Sequence, residues 1–227
     1  MLIHPWDAPH DDAEWRDWLA SHDFGQLSVN GPPGQPPWVQ PLHFRYDAHS
    51  GPYGAVITHL ARPNPMWPAL EADGLVLLSV VDDYAFIPGP WAAPEGGPSE
   101  HGTPTSFYAA VQLTCTAQVV DDPYEKAELL NRQVAHFQPG GGSARAAVGE
   151  APYGRLLSGL RGLRLDVREV RAKFKYANHK PEAVQERIAE GLAARGAPLD
   201  PAARAHQIRR RTGVRDGRGP APPPRAE

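Results

Sequence analysis

The segment 56–67, VITHLARPNPMW, joins a buried-strand pattern to a helix start and carries a histidine and an arginine at the junction. A neutral imidazole is a common metal ligand, and a planar guanidinium matches the oxygens of a carboxylate or phosphate. His59 is therefore a candidate metal ligand, and Arg62 is a candidate anion-binding residue. The alternative for His59 is a strand-end side chain that hydrogen-bonds to the backbone.

A second group of candidate residues lies in RAKFKYANHK, residues 171–180. Lys173 and Lys175 alternate there with Phe174 and Tyr176. Such a run is typical of a solvated basic strand end. The alternative is that the segment supplies cations to the carboxylates or phosphate of a cofactor.

The remaining ligand types are less well placed. His43 follows Leu42 in an alternating strand pattern, which predicts that it points to solvent. Cys115 is a candidate thiolate ligand, but its apolar mid-strand position favours an inert core residue. The other histidines are predicted to be solvated because they fall in loops, helices or termini: His4, His10, His22, His49, His101, His136, His179 and His206.

Composition excludes several classes of protein. The 227 residues carry a net charge of -3, which gives no general attraction to nucleic acid, and no helix-turn-helix pattern is present, so DNA binding is not expected. One cysteine allows neither an internal disulfide nor a CxxC motif. No apolar run approaches the ~18 residues of a membrane span, and the first residues lack a signal-peptide layout. We therefore expect a soluble cytoplasmic protein.

Short strands with few intervening helices must position the candidate residues. Alternation predicts strands over FGQLSV, PWVQPLHFRY, AVITHL, GLVLLSVV, YAFIPGPW, TSFYAAVQLTCTAQVV and LRGLRLDVREV. Pro41 predicts an edge strand or a bulge. The continuous apolar run GLVLLSVV predicts burial on both faces. The pattern indicates a mainly β protein with flanking helices (α+β), in which a small antiparallel barrel is plugged by helices.

Helices are predicted at four places. The first covers DDAEWRDWLASHD, with Asp11 and Glu14 at capping-box spacing. A short helix begins near Pro65 with Asn64 as its N-cap. A third begins at Asp122-Pro123 and presents Ala127, Leu130, Val134 and Phe137, and a fourth covers KPEAVQERIAEGLAARG. Residues 196–227 are rich in Arg, Pro and Gly and are predicted to be a mostly disordered tail after a domain of residues 1–195.

Four segments occur in the order and at the spacings found in the PaiB-like proteins: ITHLARPNPMWPALE, YAFIPGPW, GTPTSFYAAVQLTCTAQVV and LRGLRLDVREVRAKFKYANHK. The sequence resembles this family over about residues 1–195. The resemblance implies a six-stranded split β-barrel of the FMN-binding type and a homodimer with a cofactor in the cleft between subunits. PaiB-like proteins are commonly labelled FMN-binding negative transcriptional regulators. A subset, the piperazate synthases, binds haem b and forms the N–N bond that closes N5-hydroxyornithine to piperazic acid.

The resemblance assigns roles to several residues. It implies that Thr58, Arg62 and Asn64 hold the FMN phosphate. The sequence departs from flavin-binding relatives at Arg62-Pro63, where consecutive basic residues are common, and at Ala109, where an amide often contacts the flavin. These departures favour haem b, with FMN as the alternative cofactor.

With haem bound, His59 is the expected iron ligand. Trp67 and Trp91 are then candidates for the pocket wall, and Tyr108 is a candidate hydrogen-bond donor. Lys173 and Lys175 are candidate cofactor-binding cations. Arg62 and Lys175 are the predicted catalytic residues for a small amino-acid substrate. The other reading is an FMN-binding regulator or a split-barrel flavin oxidoreductase.

Overall fold

A computed structural model describes residues 1–213 of the chain. These residues form seven strands rather than the six expected, together with five α-helices. The strands are β1 (Phe24–Val29), β2 (Trp38–His43), β3 (Arg45–Asp47), β4 (Ala55–Ala61), β5 (Leu75–Ile87), β6 (Thr105–Val120) and β7 (Leu160–Lys175). The helices are α1 (Asp12–Ala20), α2 (Trp67–Ala72), α3 (Pro123–Phe137), α4 (Glu182–Arg195) and α5 (Asp200–Thr212).

The described chain divides into two compact units. Residues 19–80 and 112–170 form one, which we call the sheet unit. Residues 1–18, 81–111 and 171–213 lie in the other, which we call the helix unit. The long strands β5, β6 and β7 each continue from one unit into the other, so each unit holds part of them.

The sheet unit contains a mainly antiparallel sheet in the order β2-β1-β5-β6-β7-β4-β3. The sequence pattern predicted one strand over 37–46, but the chain breaks at Phe44 into β2 and β3. Phe44 is fully buried, and its N–H donates to Asp23 O at 2.8 Å instead of joining a ladder. Because β2 and β3 hold the two ends of the strand order, the sheet edges approach each other at this residue. Pro41 lies in the edge strand β2, as predicted.

Strand β5 differs from its prediction. The sequence indicated two strands, the first buried on both faces, whereas the structure has a single strand with alternating exposure. Leu75 in the sheet unit and Val81 in the helix unit are both more than half exposed. The continuous apolar run therefore belongs to a strand whose one face is buried and whose other face exposes apolar side chains to solvent.

Helix α3 covers β4 and β7 in the sheet unit. Asp122 caps its start, because Oδ1 accepts the N–H groups of Tyr124 and Glu125 at 2.9 Å. Gly162 of β7 permits a close approach, since a Cβ there would lie 3.0 Å from Leu129 Cδ1 of the helix. The face predicted from apolar spacing is wrong in part: Phe137 is exposed, whereas Gln133 is buried. The amide of Gln133 reaches a backbone carbonyl, and this hydrogen bond allows a polar residue to face inward.

The helix unit contains a helix that the sequence analysis assigned to a disordered tail. The prediction for 196–227 is wrong for α5, residues 200–212, and the remaining tail from 214 lies outside the described residues. Helix α5 buries five side chains at helical spacing, and four of them are polar: Asp200, Ala203, His206, Gln207 and Arg210. Hydrophobic periodicity cannot detect such a face.

Specific polar partners hold α5 in place. His206 Nδ1 lies 2.8 Å from Asp83 Oδ2, and Gln207 Nε2 donates to Gln185 O at 3.0 Å. Arg210 donates to Glu14 Oε1 at 2.6 Å and to Ala8 O at 2.9 Å. Each buried charge therefore has a partner in the same unit, as burial of charge requires.

Trp91 packs face-on against α4 at Gly191. A Cβ on Gly191 would lie 2.6 to 2.8 Å from three atoms of the indole ring, and Arg195 lies over the same ring at 5.1 Å. Arg187 of α4 also donates to Trp91 O at 2.9 Å. The indole of Trp91 is thus part of the packing of α4.

This contact predicts the effect of adding one methyl group. Gly191→Ala should destabilise the protein by roughly 1–3 kcal/mol, because overpacking outweighs the ~1 kcal/mol gain in helix propensity. Urea unfolding followed by circular dichroism measures the change. Ala194→Gly, at an exposed position of the same helix, is the matched control and should cost only about 1 kcal/mol. A higher unfolding midpoint for Gly191→Ala would show that the indole does not press on the helix.

Candidate functional site

His59 lies near the end of β4, opposite Gly162 of β7 in the strand register. Gly162 has no side chain, so helix α3 can approach the strands closely and lie beside the imidazole. Its Nδ1 lies 2.7 Å from Oε1 of Gln133, which is almost completely buried. The ring is half-buried, and none of the residues in 1–213 forms a recorded hydrogen bond with Nε2. One nitrogen is therefore fixed by the protein, and the other is available to a ligand.

One aromatic ring contacts His59, and further aromatic side chains lie next to that ring. The His43 ring lies 5.5 Å from the His59 ring, and Phe137 lies 5.1 Å from His43, both edge-to-face. Phe24 is opposite His43 in the register of β1 and β2, so both side chains lie on one face. Phe24 is 63% exposed and Phe137 39%. We call these four residues, Phe24, His43, His59 and Phe137, the aromatic face.

Charge on the aromatic face is low. Burial lowers the pKa of His43, and the neighbouring His59 lowers it further, while Asp23 acts in the opposite direction. His43 is thus held toward its neutral form. His136 Nε2 lies 2.9 Å from Asp23 Oδ2, so it is half-buried rather than solvated as predicted.

Sequence reasoning missed the contribution of α3 to this site. Gln133, His136 and Phe137 stand at positions i, i+3 and i+4 and thus share one side of the helix. That spacing could have indicated a polar and aromatic face on α3. No local sequence pattern, however, shows that this face packs against His59, which lies 74 residues earlier in the chain than Gln133. The exposure predicted for His43 is confirmed.

Three residues assigned to the cofactor have internal partners. Thr58 is fully buried and donates to His43 O at 2.8 Å. Asn64 donates to Gln40 Oε1 at 3.0 Å and accepts from the Met66 N–H at 2.9 Å. The Thr58 hydroxyl is therefore already used to connect β4 to the end of β2, and the Asn64 amide is used to fix the chain after β4.

Trp67 is also held internally. Its Nε1 donates to Ala61 O at 2.9 Å, and the Arg161 guanidinium covers the buried ring at 4.7 Å. The indole therefore packs beneath a cation at the start of α2.

Arg62 lies in a small charged cluster. Its Nε donates to Ser158 O at 2.8 Å, and its Nη2 lies 3.3 Å from Asp121 Oδ1. Hydrogen bonds from Arg161 are the main reason that the pKa of Asp121 is lowered. Since Asp121 is bound chiefly by Arg161, the exposed guanidinium of Arg62 keeps donors that an anion can use.

The other predicted cations lie in the helix unit. Lys175 Nζ donates to Thr105 Oγ1 at 2.7 Å, whereas Lys173 donates to Leu2 O at 2.8 Å. The Tyr108 ring lies 5.8 Å from both ammonium groups. Burial is the main cause of the lowered pKa of Lys175, and Lys173 lowers it further. Asp7 lies 3.6 Å from Lys173, so the positive charge of the pair is partly offset.

A bare metal centre is not supported. Within residues 1–213, no group of three or more His, Cys, Asp or Glu side chains is arranged to hold a metal ion. Burial raises the pKa of the Cys115 thiol to about 12, so it remains a protonated core residue. A metal at His59 would need most of its ligands from a cofactor. Among the described helices, none is both long and apolar enough to cross a membrane.

Comparisons with known proteins identify the family. Residues 1–169 match the family model described as "Putative FMN-binding domain". Two solved structures have a similar fold at 20% identity. The flavocytochrome Anf3 from Azotobacter vinelandii has a TM-score of 0.56, with 75% of this chain and 70% of that chain covered. The FAD and haem binding protein from Mycobacterium smegmatis has a TM-score of 0.54, with 80% and 79% covered.

No curated protein sequence matches the chain significantly. The family match covers most of the sequence, and the two solved structures have the split-barrel type of fold seen in flavin-binding proteins. The resemblance noted in the sequence is confirmed at this level. The chain therefore belongs to the FMN-binding domain family, to which its PaiB-like motifs also point.

Proposed function

We propose that the protein is a haem-dependent cyclase that converts N5-hydroxyornithine to piperazic acid, in which His59 would hold the iron of haem b. One observation carries the proposal: a half-buried imidazole with a free Nε2 stands within an exposed aromatic face. Such a face suits an apolar macrocycle, and neutral imidazole is a common axial ligand. The two proteins of similar fold, a flavocytochrome and an FAD and haem binding protein, are consistent with haem in this architecture.

The residues present fit haem better than FMN. Haem needs one imidazole, apolar contact and cations for its propionates, and Arg62 retains exposed donors for a carboxylate. FMN needs several hydroxyl or amide donors at its phosphate, but Thr58 and Asn64 donate to protein groups. The FMN-binding regulator or flavin oxidoreductase remains the second candidate because the family model favours it.

The proposed reaction balances without an external oxidant. The α-nitrogen forms a bond to N5, the N5–O bond breaks, and hydroxide leaves with the proton lost by the α-amine as water. Bound haem supplies a Lewis acid for the N–O bond. The chain's task is to fold the flexible substrate so that its two nitrogens meet, since proximity supplies much of the rate gain.

Two cations are proposed to act on carboxylates. Arg62 is assigned the substrate carboxylate because its guanidinium is exposed and offers paired donors. Lys175, in the helix unit, is proposed as the second such cation because the family resemblance suggests it, and burial lowers the pKa of its ammonium group.

The reaction assigned to the protein can be tested directly. Protein reconstituted with haem is incubated with N5-hydroxyornithine, and the product is identified by mass spectrometry after chiral derivatisation. The expected product has lost one water and contains an N–N bond. Haem-free protein and Arg62→Lys serve as comparisons, and the lysine variant should raise KM because it cannot form a bidentate pair. Absence of product with fully reconstituted protein would contradict the cyclase.

The protein is also proposed to be a homodimer. Both units expose large apolar side chains, which a second copy would cover: Val39 and Leu75 in the sheet unit, and Val81, Tyr84 and Phe86 in the helix unit. Light scattering should give twice the chain mass at micromolar concentration. Val81→Lys should shift the protein toward monomer, whereas Leu199→Lys, also at an exposed position, should not. A strictly monomeric wild type would exclude a cleft between subunits.

A further inference from the structure

Gln133 connects helix α3 to His59 through a buried amide. Its side chain is 2% exposed. Oε1 lies 2.7 Å from His59 Nδ1, and Nε2 donates to Ile57 O at 3.3 Å. Gly162 lets the helix approach this closely, since Leu129, one turn earlier, packs against its Cα.

The backbone fixes which way the amide points. The Ile57 carbonyl can only accept a hydrogen bond, so the NH2 group of Gln133 must face it. The reversed amide would bring two oxygens together and leave both buried without a donor, which is costly. Oε1 therefore faces His59, and Nδ1 of the imidazole must be the donor.

We infer that Gln133 is a positioning residue that holds His59 in the Nδ1–H tautomer. In this tautomer Nε2 has no proton, and its lone pair points away from the amide. The hydrogen bond also fixes the ring plane, as a partner behind a metal-ligating histidine generally does. The tautomer follows from the contacts alone, while its use in binding iron rests on the proposed function.

Nuclear magnetic resonance of the haem-free protein tests the tautomer without any cofactor. Long-range correlations to the imidazole nitrogens, assigned with a His59→Gln variant, report which nitrogen carries the proton above pH 8. Wild type should show a protonated Nδ1 and an unprotonated Nε2. Gln133→Leu, of similar volume, should shift the population toward the Nε2–H form. Gln133→Glu keeps an acceptor opposite Nδ1 and should retain the Nδ1–H form, but it loses the donor to Ile57 O and should lower the stability of the protein.

Haem titration then measures how the tautomer of His59 affects the affinity for haem. Gln133→Leu should bind haem about 10–100-fold more weakly than wild type, and Gln133→Glu should recover most of that loss. Gln118→Leu is the matched control, because Gln118 is exposed on β6 of the same unit and hydrogen-bonds Asp166. In Gln118→Leu, the tautomer of His59 and the affinity for haem should equal those of the wild-type protein.

The outcomes separate the inference from the proposed function. A protonated Nε2 in wild type, or an unchanged tautomer in Gln133→Leu, would overturn the role of Gln133. A shifted tautomer together with weaker haem binding would support it. A shifted tautomer in a protein that binds no haem would support the positioning of His59 and overturn the haem assignment.

Discussion

Replacing His59 by alanine should abolish the Soret band of the haem-loaded protein while leaving its β-sheet circular dichroism unchanged. His59 is the residue of the aromatic face whose outer nitrogen is free and whose inner nitrogen is fixed. Removal of the ring takes away the proposed iron ligand but little packing, because the side chain is half-buried. The loss of affinity should exceed the ~10–100-fold effect expected for a residue behind the ligand. Haem titration followed by absorbance measures it.

A matched variant guards against a general effect of removing histidine. His49 is exposed in the turn between β3 and β4, and His49→Ala should bind haem as wild type does. An unaltered haem spectrum in His59→Ala would mean that another residue ligates the iron. Loss of the band in both variants would point instead to nonspecific binding through surface imidazoles.

Truncation after Gly196 should unfold the protein or lower its stability by several kcal/mol. The sequence predicted a mostly disordered tail here, but α5 buries Ala203 and supplies partners to buried charges. Loss of Arg210 leaves Glu14 without its cation, and loss of His206 leaves Asp83 without one of its partners. Breaking a single buried pair costs about 3–5 kcal/mol, a large share of the 5–15 kcal/mol typical of a whole protein.

The comparison that isolates α5 uses two truncated chains, one ending at 213 and one at 196. Urea unfolding midpoints, followed by circular dichroism, should be lower for the shorter chain or should show no folded baseline. Arg210→Ala in the full chain tests the largest single contribution and should lower the midpoint without removing the helix. Equal midpoints for the two truncated chains would contradict the packing described for α5.

The sequence predicted those parts of the fold whose signals are local. The alternation from Phe107 to Cys115 predicted a strand with one buried face, and those side chains are buried as expected. Asp122 predicted the start of α3, and Val184, Ile188 and Leu192 predicted the buried stripe of α4. In each case the hydrophobic periodicity or the helix cap is formed by residues close together in the sequence.

The parts that were not predicted depend on polar groups satisfied by distant residues. Helix α5 reads as a solvated tail because its buried face is His, Gln and Arg, whose partners lie elsewhere in the chain. The break at Phe44 depends on a hydrogen bond to Asp23 and on burial of the ring.

The candidate site shows the same division. His59 could be singled out because it stands at a strand end before an arginine, a local pattern. Its environment could not, because Gln133 reaches it from a helix that is distant in sequence, and Phe137 of the same helix packs against the neighbouring His43. Thr58 and Asn64 form a plausible ligand-binding pattern in the sequence, but their side chains serve the fold: Thr58 connects β4 to β2, and Asn64 fixes the turn after β4.

A competition between cofactors tests the central claim most directly. The purified protein is mixed with equimolar haem and FMN, passed through a desalting column, and its absorption spectrum is recorded beside that of His59→Ala. The wild-type protein should retain haem, seen as a Soret band without flavin bands, and the variant should retain none. Flavin bands without a Soret band in the wild type would contradict haem as the cofactor and would favour the flavin function instead.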